Sequence, residues 1–386
     1  MKRLIIVLFL FMLVFPCILL QAKNKEQPIS RLDYLWGSKK IENRIWAIDS
    51  LDLEQDGIDE VVFATRDEIQ IGNFLKKKFK SKMSCALPSN SKAAKLYSMD
   101  LDDDKRDEII VTAILDGYPY SVIYKLNKKK CDVLKSGIPS SLRVIEVDKA
   151  LAEKMALSIK EYSESGKAKV LLSQLWSSEN FFTGNVEQVA FQDGKIKKIK
   201  KLKLPWNTKI YGFTPIIFDD DRLEIVIQTG HEKMTMRELK GKKFKRTWRS
   251  PRKVGGSANF LPATQRRVLG SETSQIVVFD LPPISVRKDK ALGLLVVNQT
   301  MPVYGIVGRK PYISAASVLG FKSDEVLGFV EKINSVDLPG PVIDWMIVTS
   351  KDVPPQLYVL VQEGGSFLAK DTTSMIIAFD LNSFIE

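Results

Sequence analysis

Asp52, Glu54 and Asp56 stand at alternate positions, followed by Gly57, Ile58 and Glu60 and then by the apolar run Val61–Phe63. Forty-eight residues later Asp100, Asp102 and Asp104 repeat the alternation, and Glu108 closes it before Ile109–Val111. Side-chain oxygens at every second position can wrap a hard cation. Ca2+ takes about 6–8 oxygens in flexible geometry, and a glycine allows the sharp turn midway. The candidate ligands are therefore Asp52, Glu54, Asp56, the Ile58 carbonyl and Glu60 in the first loop. In the second loop they are Asp100, Asp102, Asp104 and Glu108. Lys105 stands where the first loop has Gly57. That exchange costs strain if φ is positive there, and it brings a cation close to the ligands. The alternative is a pair of solvated acidic turns that punctuate strands.

Other chemistries find little to work with. The chain has one histidine, His231, so any Ser-His-Asp or Cys-His mechanism would depend on it, and no nucleophile motif lies nearby. That count also excludes zinc sites built from His and Cys. No phosphate-binding GxxxxGK[ST] loop is present. A carboxylate pair for glycoside cleavage stays open, because such pairs are assembled by the fold rather than by spacing.

The loops need elements to hold them, and those elements repeat. Residues 44–65 align with 95–114, each a short strand, an acidic loop and a buried strand. Each continues through a third strand, a Lys-rich turn and a fourth strand. Weaker copies follow, so that units start near residues 43, 94, 141, 207, 282 and 340. The third unit carries an insertion, 148–167, able to hold a helical turn. Residues 255–281 fit no unit and read as a long loop or a reduced one. Repeated four-stranded units of this length predict an all-β fold, a single β-propeller of six or seven four-stranded blades. Trp36-Gly37-Ser38 near the start matches Trp248-Arg249-Ser250 at the end of the fourth unit. The N-terminal segment can therefore supply the outer strand of the last blade, closing the ring and covering a sheet edge. Two stacked β-sandwiches are the alternative, and they explain neither the repeat nor the matching ends.

With the repeat in view, the pattern Asp-x-Asp-x-Asp-Gly-x-x-Asp before a hydrophobic-Val-Val run resembles the FG-GAP/VCBS repeat of integrin-α-type β-propellers. The similarity is good over residues 43–139 and weaker beyond. Ser173-Gln174 and Gly255-Gly256-Ser257 look like elements of bacterial secreted members. The resemblance implies that the loops join a blade's first and second strands and bind Ca2+. The departures are Glu60 and Glu108 at the ninth position and Lys105 at the glycine. Later units lack the ligands, so at most two sites are expected. The Ser-x-Asp-x-Gly-x-x-Trp turns of sialidase propellers are missing.

Composition places the chain among globular proteins, 45% hydrophobic and 27% charged. Lys2 and Arg3, an apolar run to Leu20 and the small Ala22 form a secretory signal over residues 1–22, leaving 23–386 as the propeller. A retained anchor is the alternative, but the apolar run is short against the ~20 residues a spanning helix needs. Pro16 precedes Cys17, which argues against lipidation. Export predicts a periplasmic or extracellular protein, peripheral to the membrane at most. Cys85 and Cys131 lie at equal offsets before equivalent strands, so two free thiols are expected rather than a disulfide. Lysines recur at the turns between third and fourth strands, at 76–78 and 128–130. Gathered on one rim, they would attract an envelope protein, an anionic glycan or lipid headgroups; on edge strands lysines also prevent aggregation. Nucleic acid is the weakest partner, since no recognition motif is present. The combined expectation is a non-enzymatic binding or scaffolding module with Ca2+-stiffened loops. A polysaccharide hydrolase or lyase working through carboxylates is the alternative.

Overall fold

The computed structural model describes residues 29–127, 130–176, 181–228, 230–266, 272–289, 291–300, 313, 315–351, 353–363 and 372–385. The signal segment and the turn lysines Lys128 and Lys129 lie outside these residues. The architecture is all-β with a propeller arrangement. Five sheets are four-stranded antiparallel blades. The first blade contains Ala47–Leu51, Glu60–Ala64, Glu68–Leu75 and Lys78–Ala86. The second contains Ser91–Met99, Glu108–Leu115, Tyr118–Asn127 and Lys130–Ile138. Ser140–Asp148, Lys167–Leu175, Thr183–Gln192 and Lys195–Lys201 make the third. Phe213–Ile217, Leu223–Ile227, Thr235–Lys240 and Lys243–Arg249 make the fourth.

Six or seven such blades were expected, and the sixth sheet is different. It has seven strands. Within it Ile284–Lys288, Ala291–Thr300, Ala315–Asp324 and Gly328–Ser335 form an antiparallel meander. Three short strands enlarge it: Ser30–Leu32, His231–Glu232 and Val254–Gly255. The closing blade contains Val342–Ser350, Val353–Glu363 and Thr373–Asp380, and its outer strand is Trp36–Gly37 from the other end of the chain. Trp36 pairs with Ala378 and Gly37 with Ile377. The edge of Thr373–Asp380 is thereby covered.

Burial on both faces explains why the sheets stack around a ring. Glu60–Ala64 is buried throughout, and Glu108–Leu115 at all but its last residue. Apolar clusters then form between neighbours. Val62, Ile69 and Ile71 of the first blade meet Leu96, Val111 and Val122 of the second. Ile110 and Ile123 meet Leu142 and Leu171 of the third. Ile48, Val61 and Phe63 meet Ile343, Met346 and Leu360 of the closing blade, so the ring returns on itself. The insertion in the third blade does hold a helix, Lys149–Lys154, capped by Asp148 Oδ1 accepting from Leu151 N at 2.7 Å.

The two cysteines correct the sequence reading. Cys85 and Cys131 form a disulfide, with Cα atoms 5.4 Å apart, inside the range a crosslink needs. Equal offsets along the chain concealed unequal places in the sheets. Cys131 pairs with Leu126 beside the turn of its hairpin, whereas Cys85 pairs with Ile69 at the far end of its own. Register shifts in Lys130–Ile138 undo the equivalence. The twist of the blades carries the end of one outer strand to the start of the next.

Candidate functional site: acidic loops and an axial well

Both acidic loops join a blade's innermost strand to its second strand. In an antiparallel blade this puts them at the same end as the turns between third and fourth strands. The loops are built alike: φ is positive at Gln55 and Gly57, and at their counterparts Asp103 and Lys105 (67° at Lys105). Lys105 therefore does adopt the glycine-like conformation. The loops also touch, because Gln55 Nε2 donates to the Lys105 carbonyl.

Their carboxylates are used differently. In the first loop Asp52 accepts from the N–H groups of Asp56 (3.0 Å) and Gly57 (2.8 Å), and Asp56 accepts from Ile58 N at 3.0 Å. Glu60 is buried and accepts from Leu53 N at 2.9 Å. Lys82, reaching over from the outer strand, lies 2.8 Å from Glu60 and 2.9 Å from Glu54. An ammonium thus already bridges two of the expected ligands. Ile58 forms a bridge with Ser350 of the closing blade.

In the second loop the carboxylate oxygens of Asp100, Asp102 and Glu108 come within 4.8 Å of one another. Asp100 Oδ2 accepts from Lys105 N (2.8 Å) and Glu108 Oε2 from Leu101 N (2.7 Å). Their other oxygens, Asp100 Oδ1 and Glu108 Oε1, are buried without a hydrogen-bond partner. Burial, with the Asp102 and Asp100 carboxylates nearby, pushes Glu108 up to about 7, against the Leu101 N–H and Lys125. Lys125 bridges Asp102 and Asp104, 2.9 Å from the latter, and Asp104 also accepts from Arg106 N at 3.0 Å. Clustered hard oxygens, two of them orphaned, fit a hard divalent cation. Among the described residues the first loop forms no such cluster.

The loop face surrounds the mouth of a second feature that the sequence did not announce. The innermost strands of the five blades and Ile284–Lys288 of the seven-stranded sheet together line an axial cavity of about 280 Å3. Its far end is plugged by the segment that fitted no unit. Phe260–Arg266 and Glu272–Val278 form a two-stranded ribbon, and the residues before it cross the axis. Asn259, fully buried, donates to the carbonyls of Trp46 (3.1 Å) and Ala94, where the first and second blades begin. Ala258 N reaches Val342 O at 3.3 Å, and Gln299 Nε2 reaches Gly256 O at 3.3 Å. The cavity is therefore a blind well opening on the acidic-loop face.

Charged groups converge in it. Lys95 and Asp344 are buried and paired at 2.7 Å, and Asp344 Oδ2 also accepts from Ile48 N at 3.3 Å. Arg143 Nη1 donates to the carbonyls of Ile210 (2.7 Å) and Phe213 (2.8 Å), with the guanidinium 5.0 Å over the Phe213 ring. Tyr97, Thr214 and Ser285 complete the polar wall. Desolvation raises Asp344, and it raises Asp49 to about 7 although Lys169 and Ser98 pull the other way. Sequence reasoning missed these residues because they are scattered over the chain. One signal was available: Asp49, Lys95, Arg143 and Asp344 each place a charge beside apolar residues inside a first strand.

A pH dependence follows. Between the ordinary aspartate value near 4 and about 7, the folded chain keeps a proton on Asp49 that the unfolded chain has released. Stability from this group therefore falls as pH rises through that window. Asp49→Asn should raise stability at pH 8 by about 1–3 kcal/mol, discounting for water in the well, and change little at pH 4. Urea unfolding at both pH values checks it; an equal effect at both contradicts the assignment.

The lysine-rich turn of the first blade lies at the rim of the same face. Lys76 and Lys77 occupy positive-φ positions. The outer strands Lys195–Lys201 and Lys243–Arg249 carry mostly exposed basic residues, with Ile196, Phe244 and Trp248 half-buried among them.

No family model matches the chain, and no curated protein matches it. Solved structures align with it at low similarity. An α-L-arabinofuranosidase from Fusarium graminearum, solved with an iminosugar inhibitor, aligns with TM-score 0.45 at 9% identity, over 93% of this chain and 100% of the other. A glucose dehydrogenase aligns with TM-score 0.41 at 11% identity, over 91% and 99%. The core factor of Saccharomyces cerevisiae aligns with TM-score 0.33 at 12% identity, over 90% of this chain but about half, 49%, of the other. At these values none transfers an activity. One expectation is corrected on the chain's own geometry, that it is not an enzyme: the carboxyl groups of Asp49 and Asp344 line the axial well, so catalysis is not set aside.

Proposed function

We propose that this chain is an exported propeller of the FG-GAP/VCBS kind, with six blades when the meander of the seven-stranded sheet is counted. In this reading it is a scaffold that binds an envelope protein, an anionic surface glycan or lipid headgroups, with Ca2+ in the loop 100–108. The observation that carries the metal is the pair of orphaned buried oxygens, Asp100 Oδ1 and Glu108 Oε1, beside Asp102. Bound Ca2+ would supply charge neutralisation there and fix the loop. The first loop is the weaker site, since it forms no oxygen cluster among the described residues; a lysine competes in both loops, Lys82 for Glu54 and Glu60 and Lys125 for Asp102. The disulfide supports a periplasmic or extracellular location, where such bonds persist. The basic outer strands support an anionic partner.

Thermal unfolding of residues 23–386 with Ca2+ and with chelator tests the metal. A site at 100-fold excess over Kd adds about 2.7 kcal/mol. The gain should vanish in Asp100→Asn and persist in Asp52→Asn; no gain in the unaltered chain ends the proposal.

A second reading has its own observation. Asp49, raised to about 7, shares the well with Asp344, and a pair of carboxyl groups is the usual apparatus of glycoside cleavage. Release of sugar from envelope glycans, lost in Asp49→Asn, would support a carboxylate-based hydrolase or lyase.

A further inference from the structure

We propose that the axial well binds a small hydroxylated carboxylate, the size of one sugar acid, with its carboxylate seated on the Arg143 guanidinium. The inference rests on neither reading above: it holds with or without Ca2+ in the loop, and with or without turnover.

The cations around the well are not equally matched. Lys95 has Asp344 at 2.7 Å, and Lys169, just behind the wall, has Asp107 at 2.6 Å. Arg143 has no carboxylate partner among the described residues. It is 6% exposed, and a buried charge without a counter-ion is costly. Two backbone carbonyls take up Nη1, which leaves Nη2 and Nε for the well. The Phe213 ring behind the guanidinium and those carbonyls fix its plane. A fixed planar fork suits the two oxygens of a carboxylate better than a point-like anion.

The rest of the lining selects the remainder of the ligand. Tyr97, Asp49, Thr214 and Ser285 offer hydroxyl and carboxyl groups around the guanidinium, suited to ligand hydroxyls. A cavity of about 280 Å3 lies at the small end of ligand sites. The plug at Ala258 and Asn259 stops a polymer from passing through. The occupant is thus a free small acid or the terminal acidic unit of a longer chain.

Isothermal titration of the mature chain with D-glucuronate and D-galacturonate, and with D-glucose as the neutral control, tests this. At least one acid should bind with Kd of about 1 mM or tighter, and glucose at least about tenfold more weakly. Arg143→Gln should weaken the acid at least about tenfold. Because Arg143 also holds two carbonyls, its variant is checked by melting temperature. Ser285→Trp provides an independent arm: it fills the mouth from an exposed position and should abolish binding with Arg143 intact. Failure of both acids to bind at about 10 mM, equal binding of glucose, or binding indifferent to both variants would overturn the proposal. Competition by an oligosaccharide ending in the same acid distinguishes a terminal unit from a free one.

Discussion

Lys95→Met should lower the unfolding free energy by about 3–5 kcal/mol at pH 7.5, because it strands a buried carboxylate. Asp344 would keep the Ile48 N–H, at 3.3 Å, against the desolvation that already raises it. The loss should shrink as pH falls, since protonation neutralises Asp344. Replacing both partners, Lys95→Met with Asp344→Leu, should recover most of the stability, as paired removal of a buried ion pair often does. Urea unfolding of the two variants is the measurement. A single variant as stable as the parent would mean that water in the well already screens the pair.

Opening the Cys85–Cys131 crosslink should have an effect of similar size. The bond spans 46 residues, for which loop-closure entropy gives about 4 kcal/mol, with native strain as the main correction. Reductant should lower the urea midpoint of the parent and leave Cys85→Ser/Cys131→Ser unchanged. Equal midpoints for the parent with and without reductant would remove the disulfide from the account.

The repeat was legible because a blade is a local object. Its four strands are consecutive, its turns are marked, and the loops at 52–60 and 100–108 punctuate it visibly. The matching Trp-x-Ser ends even located the strand Trp36–Gly37 on the closing blade. What local pattern could not supply was the relation between blades. Cys85 and Cys131 share an offset in sequence but not a place in their sheets. The sixth sheet gains Val254–Gly255 and Ser30–Leu32 from distant parts of the chain, which no period encodes. The acidic ligands were named as a set, whereas packing divided them: Lys82 neutralises Glu54 and Glu60, and burial leaves Glu108 Oε1 without a partner. The well is the extreme case, since Lys95 and Asp344 are 249 residues apart and meet because first strands converge on an axis.

That convergence depends on Trp36–Gly37 finishing a sheet whose other strands come last in the chain. Until Thr373–Asp380 has been synthesised, the early strand has nowhere to dock, and the nascent molecule is an open horseshoe. The latch joins distant residues, and closing so long a loop is slow by topology. Two horseshoes that meet before latching can each lend the other that strand, making a swapped pair with the same hydrogen bonds. The share of such pairs should follow protein concentration during refolding, not after it.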